Sequence, residues 1–142
     1  MRNTLVLGLF LLASCKTPLP HARELRDQVN AFHEIYNREL YQDLYKTLSP
    51  SFRSRVSVQQ FIRTEKINHG RFGNFISCSL IRLSLTRIST VSHARVVDAR
   101  CSTRFSHGET TEGFTFVLTG NSPSIESYEI LDTEKGKGFG SP

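Results

Sequence analysis

The hydrophobic pattern of the chain changes its period near Phe72. Before this point apolar residues recur at spacings of three and four, as in amphipathic helices, and after it they alternate with polar residues, as in strands. A chain of 142 residues has room for one domain. The pattern therefore predicts an α+β fold in which two to three N-terminal helices pack on a four-stranded antiparallel sheet. The composition, 38% hydrophobic and 22% charged, suits a soluble core and argues against a disordered chain or a multi-span membrane protein.

Apolar stripes and capping residues predict the helices. The first stripe consists of Leu25, Val29, Phe32 and Tyr36, and the second of Leu40, Leu44 and Leu48. The second stripe should stop before Pro50, because the residue that precedes a proline avoids helical dihedrals. A third helix should begin at Ser57, whose hydroxyl can cap it while Gln60 reaches back to the cap amide. Either Asn68 or Gly70 can end it in the left-handed conformation.

Alternation in the second half predicts the strands and their faces. The buried face of the first strand changes phase at positions 80–81, which indicates a β-bulge there. Pairing Leu83 with Val97 then places Cys78 opposite Cys101 on the buried face of the first two strands. Two further strands carry their apolar residues at Phe114, Phe116 and Leu118 and at Ile125, Tyr128 and Ile130.

The same register predicts the outer face of the sheet. It places Arg82 across from Asp98, an exposed ion pair that contributes roughly 0 to 1 kcal/mol. A basic patch is expected on this convex side, formed by Arg82, Arg87, Arg95, Arg100 and Arg104. Such a patch could bind anionic lipid headgroups, an anionic envelope polymer or an acidic envelope protein. Nucleic acid is not an expected partner, because no aromatic residues interleave with these arginines.

The N-terminus has the layout of a secretory signal. Arg2 is followed by an apolar run from Leu5 to Leu12, and this run of eight is far shorter than the roughly 18 residues that span a bilayer. The sequence Leu12-Ala13-Ser14-Cys15 resembles the lipobox of bacterial lipoproteins. This resemblance implies that Cys15 is acylated, palmitate being the expected acyl group, and becomes the first residue of the mature chain. Lys16 after it resembles the pattern of lipoproteins exported to the outer membrane.

These features predict the organisation of the whole chain. We expect a lipoprotein signal peptide at 1–14, a tether at 15–22, one α+β domain at 23–133 and a flexible tail at 134–142. The expected location is the bacterial envelope, with the protein held by its lipid in the outer membrane and facing the periplasm. Because the periplasm is oxidising, Cys78 and Cys101 are expected to form a disulfide.

Several short motifs resemble the nuclear-transport-factor-two-like (cystatin-like) superfamily, in particular small bacterial exported domains of unknown function. They are Tyr41-x-x-Leu44-Tyr45-x-x-Leu48-Ser49-Pro50-x-Phe52, Gln60-Phe61, Gly70-Arg71-Phe72-Gly73, Gly113-Phe114-Thr115-Phe116 and Ser127-Tyr128-Glu129-Ile130. The resemblance spans roughly Leu25 to Leu131. It implies a curved sheet that wraps around the first helix and leaves an apolar cone, with Tyr36, Tyr41 and Tyr45 as residues that could line it.

Fold alone does not name a function, so the side chains must decide between the alternatives. No nucleophile motif, metal-ligand spacing or phosphate loop occurs, and we expect neither catalytic residues nor a metal or cofactor. The favoured interpretation is a non-catalytic binding module. One alternative is an isomerase- or dehydratase-like enzyme that uses the cone. Another is an inhibitor of an envelope hydrolase, which would insert an exposed loop at Gly120 to Ser124 into its target.

Overall fold

The structure is a computed structural model that describes residues 21–88, 94–120 and 122–131. Within these residues the chain forms four helices and one four-stranded antiparallel sheet, which is curved and open. The helices are α1 (Ala22–Asn37), α2 (Tyr41–Thr47), α3 (Pro50–Arg55) and α4 (Val58–Phe72). The strands are β1 (Phe75–Ile88), β2 (Arg95–Phe105), β3 (Gly108–Thr119) and β4 (Ser122–Leu131). The predicted signal peptide, Cys15 and the predicted tail lie outside the described residues.

The helices pack on one face of the sheet and enclose the core. The apolar stripe predicted for α1 is buried, as are the inward residues of β2 and β3. The largest buried apolar side chains are Leu25, Phe32, Tyr36, Leu44, Phe114, Phe116 and Leu118. Since six of these seven come from α1 and β3, the core lies between the first helix and the middle of the sheet.

The short helix α3 was not predicted. Pro50 stops the preceding apolar stripe as expected, but it also occupies the first turn of α3, where its missing N–H removes no helical hydrogen bond. The Ser49 hydroxyl caps this helix by accepting a hydrogen bond from the Phe52 backbone N–H at 3.0 Å. The same dipeptide therefore ends one helix and begins the next.

Helix α4 begins where the sequence predicted and ends later. The Ser57 hydroxyl accepts a hydrogen bond from the backbone N–H of Gln60 at 3.2 Å, which confirms the cap. The predicted ends, Asn68 and Gly70, are wrong: the helix continues to Phe72, and Gly73 follows it with a φ of 75°. The positive φ favours glycine at this position, and a Cβ atom there would also collide with the hydroxyl of Ser106, which follows β2.

The strands are hydrogen-bonded in sequence order, and the predicted register of β1 on β2 is wrong by two residues. Leu83 pairs with Ala99 rather than with Val97. A slip of two keeps every side chain on its predicted face, so the alternation of apolar residues cannot detect it. The predicted bulge is present after Leu80, and the described β1–β2 pairing has two more irregularities, after Phe75 and after Leu85.

This register changes two predicted contacts. Cys78 pairs with Thr103 and Cys101 with Leu80, so the two cysteines are diagonal neighbours rather than opposite each other. Their Cα atoms are 5.5 Å apart and the disulfide between them is formed, as predicted.

The predicted pairing of Arg82 with Asp98 is wrong. Arg82 lies directly across from Arg100, and Asp98 lies across from Ser84. The Asp98 carboxylate instead accepts a hydrogen bond of 2.8 Å from the Thr115 hydroxyl on β3. The slip of two residues therefore replaces an ion pair with two facing cations.

The disulfide should stabilise the domain because it restricts the conformations of the unfolded chain. The bond spans a sequence separation of 23, and the Cys78→Ala/Cys101→Ala double variant should lower the free energy of unfolding by about 3 kcal/mol. Urea denaturation followed by circular dichroism measures this change. The matched control is Ser79→Ala/Ser102→Ala, a directly paired and exposed couple on the same two strands. A cysteine variant that unfolds at the same urea concentration as this control would contradict the prediction.

Candidate functional site

A buried carboxylate, Glu112 on β3, lies at the centre of the domain. Its side chain accepts hydrogen bonds from the Thr103 hydroxyl at 2.6 Å and the Tyr128 hydroxyl at 2.7 Å, and it shares a hydrogen bond of 3.1 Å with His33 Nε2. These three partners come from α1, β2 and β4. Glu112 therefore connects the first helix to three adjacent strands of the sheet.

Aromatic rings enclose the imidazole of this cluster. His33 is 1% exposed and Glu112 is 0% exposed. The ring of Phe75 stacks on His33 at a centroid distance of 3.8 Å, and the rings of Phe32 and Phe114 meet it edge-on. Tyr128 is the member of the cluster that is partly exposed to solvent. The cone expected from the family resemblance is thus filled with side chains at the level of His33.

The hydrogen bonds of His33 use both of its ring nitrogens. Its Nδ1 is 2.8 Å from the Val29 carbonyl, which can only accept, so Nδ1 carries a hydrogen. Its Nε2 is 3.1 Å from the Glu112 carboxyl group, so both ring nitrogens have a hydrogen-bond partner, which lowers the cost of burying the ring. An imidazole beside a carboxylate is suited to proton transfer, but such chemistry needs a substrate within reach.

A second buried acid, Glu65 on α4, has no cationic partner within the part of the chain that the structure describes. It is 2% exposed, and one of its carboxylate oxygens has no hydrogen-bond partner among the described residues. Burial raises the pKa of Glu65 to about 8, a hydrogen bond with the Asn68 side chain opposes this shift, and the nearby Glu112 adds to it. At neutral pH the Glu65 carboxyl is therefore mostly protonated.

The three tyrosines expected to line a pocket belong to the helical layer, and Tyr41 also lines a surface concavity. The Tyr36 hydroxyl donates to the Gly73 carbonyl at 3.4 Å, and burial raises the pKa of Tyr36. Burial also raises the pKa of Tyr41 to about 12, and its hydroxyl has no partner in the described part of the chain. Tyr45 donates to the carbonyls of Arg53 and Val56 at 3.1 Å and 2.6 Å. Tyr36 and Tyr41 are therefore neutral phenols at physiological pH.

Two shallow, open concavities lie on the described surface. One of about 400 Å³ lies between α2 and α4, where its lining includes Leu40, Tyr41 and Ile62 together with charged side chains such as Glu39 and Lys66. The other, of about 300 Å³, lies on the outer face of the sheet beside Arg104 and Glu109. Neither is lined by His33 or Glu112, so the pair best suited to proton transfer opens into neither of them.

The structure brings together part of the predicted basic patch. Arg82, Arg100 and Arg104 lie exposed on the outer face of β1 and β2. Arg95 lies on the helix-facing side, where its guanidinium donates to His21 Nε2 at 3.0 Å. The Cα of Arg87 pairs with that of Val96, and the position of its side chain lies outside the description.

Acidic residues occupy the other half of this outer face. Glu109 on β3 pairs with Arg104, and Glu129 on β4 pairs with Gly113, over which its side chain lies. The face therefore carries Arg82, Arg100 and Arg104 along β1 and β2, with Asp98 also on β2, and acidic residues on β3 and β4.

The loop predicted for an inhibitor, Gly120 to Ser124, is shorter than expected. Strand β4 already begins at Ser122, and Ser122 pairs with Thr119. Gly120 adopts a φ of 66°, in the left-handed region that suits a tight turn. Asn121 lies outside the described residues. A connection of this size is a turn between adjacent strands rather than a long insertion loop.

Comparisons with known proteins give no relative from which a function could be transferred. No model of a protein family matches the chain, and no curated protein sequence matches it significantly. Among the residues that the structure describes, no three His, Cys, Asp or Glu side chains converge as metal ligands. In the same residues, no helix is both long and apolar enough to cross a membrane.

The sequence analysis did not predict the cluster of His33, Thr103, Glu112 and Tyr128, although the sequence holds weak indications of it. Extending the alternation of Phe114 and Phe116 backwards along β3 places Glu112 on the inward face. His33 follows Val29 by four residues, on the buried side of α1. No local pattern pairs a helix residue with one 79 positions later, so the contact itself could not be predicted.

Removing the charge of Glu112 should destabilise the domain. In Glu112→Gln the amide would present donors to groups that already donate, so the free energy of unfolding should fall by roughly 2 to 4 kcal/mol. Urea denaturation at neutral pH measures the loss. Glu129→Gln, an exposed acid on the neighbouring strand, is the control. Equal stability of the two variants would show that the Glu112 hydrogen bonds do not hold the fold.

Glu65 should make stability depend on pH. Its pKa is about 8 in the folded protein against an ordinary value of 4.5, so the folded state binds more protons between these pH values. Stability should therefore fall as pH rises from 4.5 to 8, by on the order of 4 kcal/mol relative to Glu65→Gln. Urea denaturation of both proteins across this range measures the difference. Glu34→Gln, an exposed acid on α1, should keep the wild-type profile; parallel profiles for wild type and Glu65→Gln would contradict the account.

Proposed function

We propose that this chain is a lipid-anchored protein of the bacterial envelope that binds an anionic envelope component and performs no catalysis. The observation that carries the proposal is the closure of the interior. The pair best suited to proton transfer, His33 and Glu112, is 1% and 0% exposed and lines neither of the two concavities. A substrate would have to displace stacked aromatic rings to reach it, so we assign the cluster to folding.

The lipid anchor and the fold family are parts of the same proposal. The anchor rests on the residues that lead to Cys15, which resemble a lipobox. The cystatin-like assignment is supported by the order of the elements, with helices first and four antiparallel strands after them, and by the bulged first strand. Together they describe a small domain held at a membrane and presenting an open sheet.

The outer face of β1 and β2 is the proposed binding surface. Arg82 and Arg100 lie directly opposite each other there, and both are exposed. Like charges at paired positions of a sheet repel and destabilise it. An anionic group between the two guanidinium groups would remove this repulsion and accept hydrogen bonds from both. Short side chains, including Ser79, Ser84 and Ser102, surround the pair and leave it accessible.

Binding to isolated peptidoglycan sacculi, an anionic envelope polymer, tests the surface. The mature acylated chain in detergent micelles is sedimented with sacculi and compared with the Arg82→Gln/Arg100→Gln variant. We expect the variant to bind about tenfold more weakly, and added salt to reduce the difference, because the attraction is electrostatic. Arg53→Gln/Arg63→Gln removes the same charge from exposed helix positions and should bind like wild type.

Two results would contradict this assignment. If both double variants lose affinity equally, net charge rather than the Arg82–Arg100 pair determines binding. If wild type does not sediment with sacculi at any salt concentration, the anionic polymer is not the partner.

A further inference from the structure

We propose that the end of the sheet where β1 and β2 meet lies against the phospholipid surface, with Leu85 inserted among the headgroups. The inference rests on the proposed lipid anchor at Cys15 and adds to it the orientation of the domain. It also explains exposed apolar side chains that the proposed binding surface does not use.

The start of α1 is held at this end of the sheet. His21, which precedes α1, accepts a hydrogen bond of 3.0 Å from Arg95, the first residue of β2. Arg95 pairs with Ile88, the last residue of β1. The chain therefore enters the domain beside the β1–β2 connection, and the opposite end of β1, at Phe75, lies a whole strand length away.

The length of chain before α1 limits how far this end can lie from the membrane. Residues 15–20 connect the proposed acylated cysteine to His21. Six residues span at most about 20 Å when fully extended. Because the acyl chains must lie in the bilayer, the β1–β2 end cannot move farther than this from the headgroups. The Phe75 end of β1 is not restricted in the same way.

The surface close to the tether has the chemistry of a membrane-facing edge. Leu85 is 49% exposed and Ile81 is 59% exposed, and both belong to β1, an edge strand of the sheet. Arg95, on the helix-facing side like Leu85, and Arg82, which follows Ile81 and lies on the outer face, supply positive charge on the same two strands, which favours anionic phospholipids. A large aliphatic side chain gains free energy when it leaves water for the interface, and a neighbouring arginine can remain among the phosphates.

Tryptophan fluorescence can test this orientation directly, because the chain contains no tryptophan. A single reporter is introduced as Leu85→Trp in the mature protein purified from bacterial membranes, which is reconstituted into vesicles of phosphatidylethanolamine and phosphatidylglycerol. Matched reporters are Ile76→Trp and Ile67→Trp, whose native side chains are exposed by 52% and 63%. Ile76 lies nine residues from Leu85 along β1, about 30 Å away. Brominated lipids quench only tryptophan that enters the bilayer.

The proposal predicts that brominated lipids quench the Leu85→Trp reporter at least about threefold more than either control, with a blue-shifted emission. Adding Arg82→Gln to Leu85→Trp should reduce the quenching in these vesicles and have no effect in purely zwitterionic ones. Equal quenching of all three reporters, or none, would overturn the proposed orientation.

Mass spectrometry of the Cys15 peptide from the same sample separates the two proposals. If Cys15 is acylated and the Leu85→Trp reporter is not quenched, the proposed membrane contact of Leu85 is wrong and the proposed anchor stands. An unacylated Cys15 overturns the anchor, and with it the orientation when the reporter is also unquenched. If the Leu85→Trp reporter alone is quenched and Cys15 is not acylated, the membrane contact of Leu85 is supported and the anchor is overturned.

Discussion

The hydrogen bonds that converge on Glu112 are the interaction on which this fold depends. A carboxylate with 0% exposure is costly to bury unless its oxygens are satisfied, and here partners from one helix and two neighbouring strands satisfy them. Because the partners belong to different elements, the network holds α1 at one position on the sheet. The aromatic rings that pack around His33 then fill the space that an open cone would have provided.

The proposed function uses the surface of the domain, because His33 and Glu112 are closed off from solvent. The outer face of the sheet presents Arg82 and Arg100 in direct opposition, an arrangement that costs stability without a ligand. The edge strand that bears Arg82 is held to its neighbour by the Cys78–Cys101 disulfide despite its bulges. The disulfide therefore fixes the strand that both the proposed binding surface and the proposed membrane contact use.

Two kinds of feature could be predicted from the sequence: those that depend on neighbouring residues, and the choice of which face of a helix or strand is buried. The Ser57 cap depends on residues within one turn, the α1 stripe on one helix, and the buried side of β2 on alternation alone. The register of β1 on β2 could not be predicted, because a slip of two residues preserves every face. The disulfide was predicted correctly all the same, because the two cysteines share a face and remain neighbours after the slip.

The central claim is that His33 is sealed inside the protein and takes no part in chemistry with external molecules. Labelling of the native protein with diethyl pyrocarbonate, followed by peptide mass spectrometry, tests it directly, with the exposed His107 as the internal reference. The account predicts that His107 is modified rapidly while His33 remains unmodified until urea unfolds the domain. Modification of His33 in the folded protein at a rate similar to that of His107 would show that the interior is open and would contradict the account.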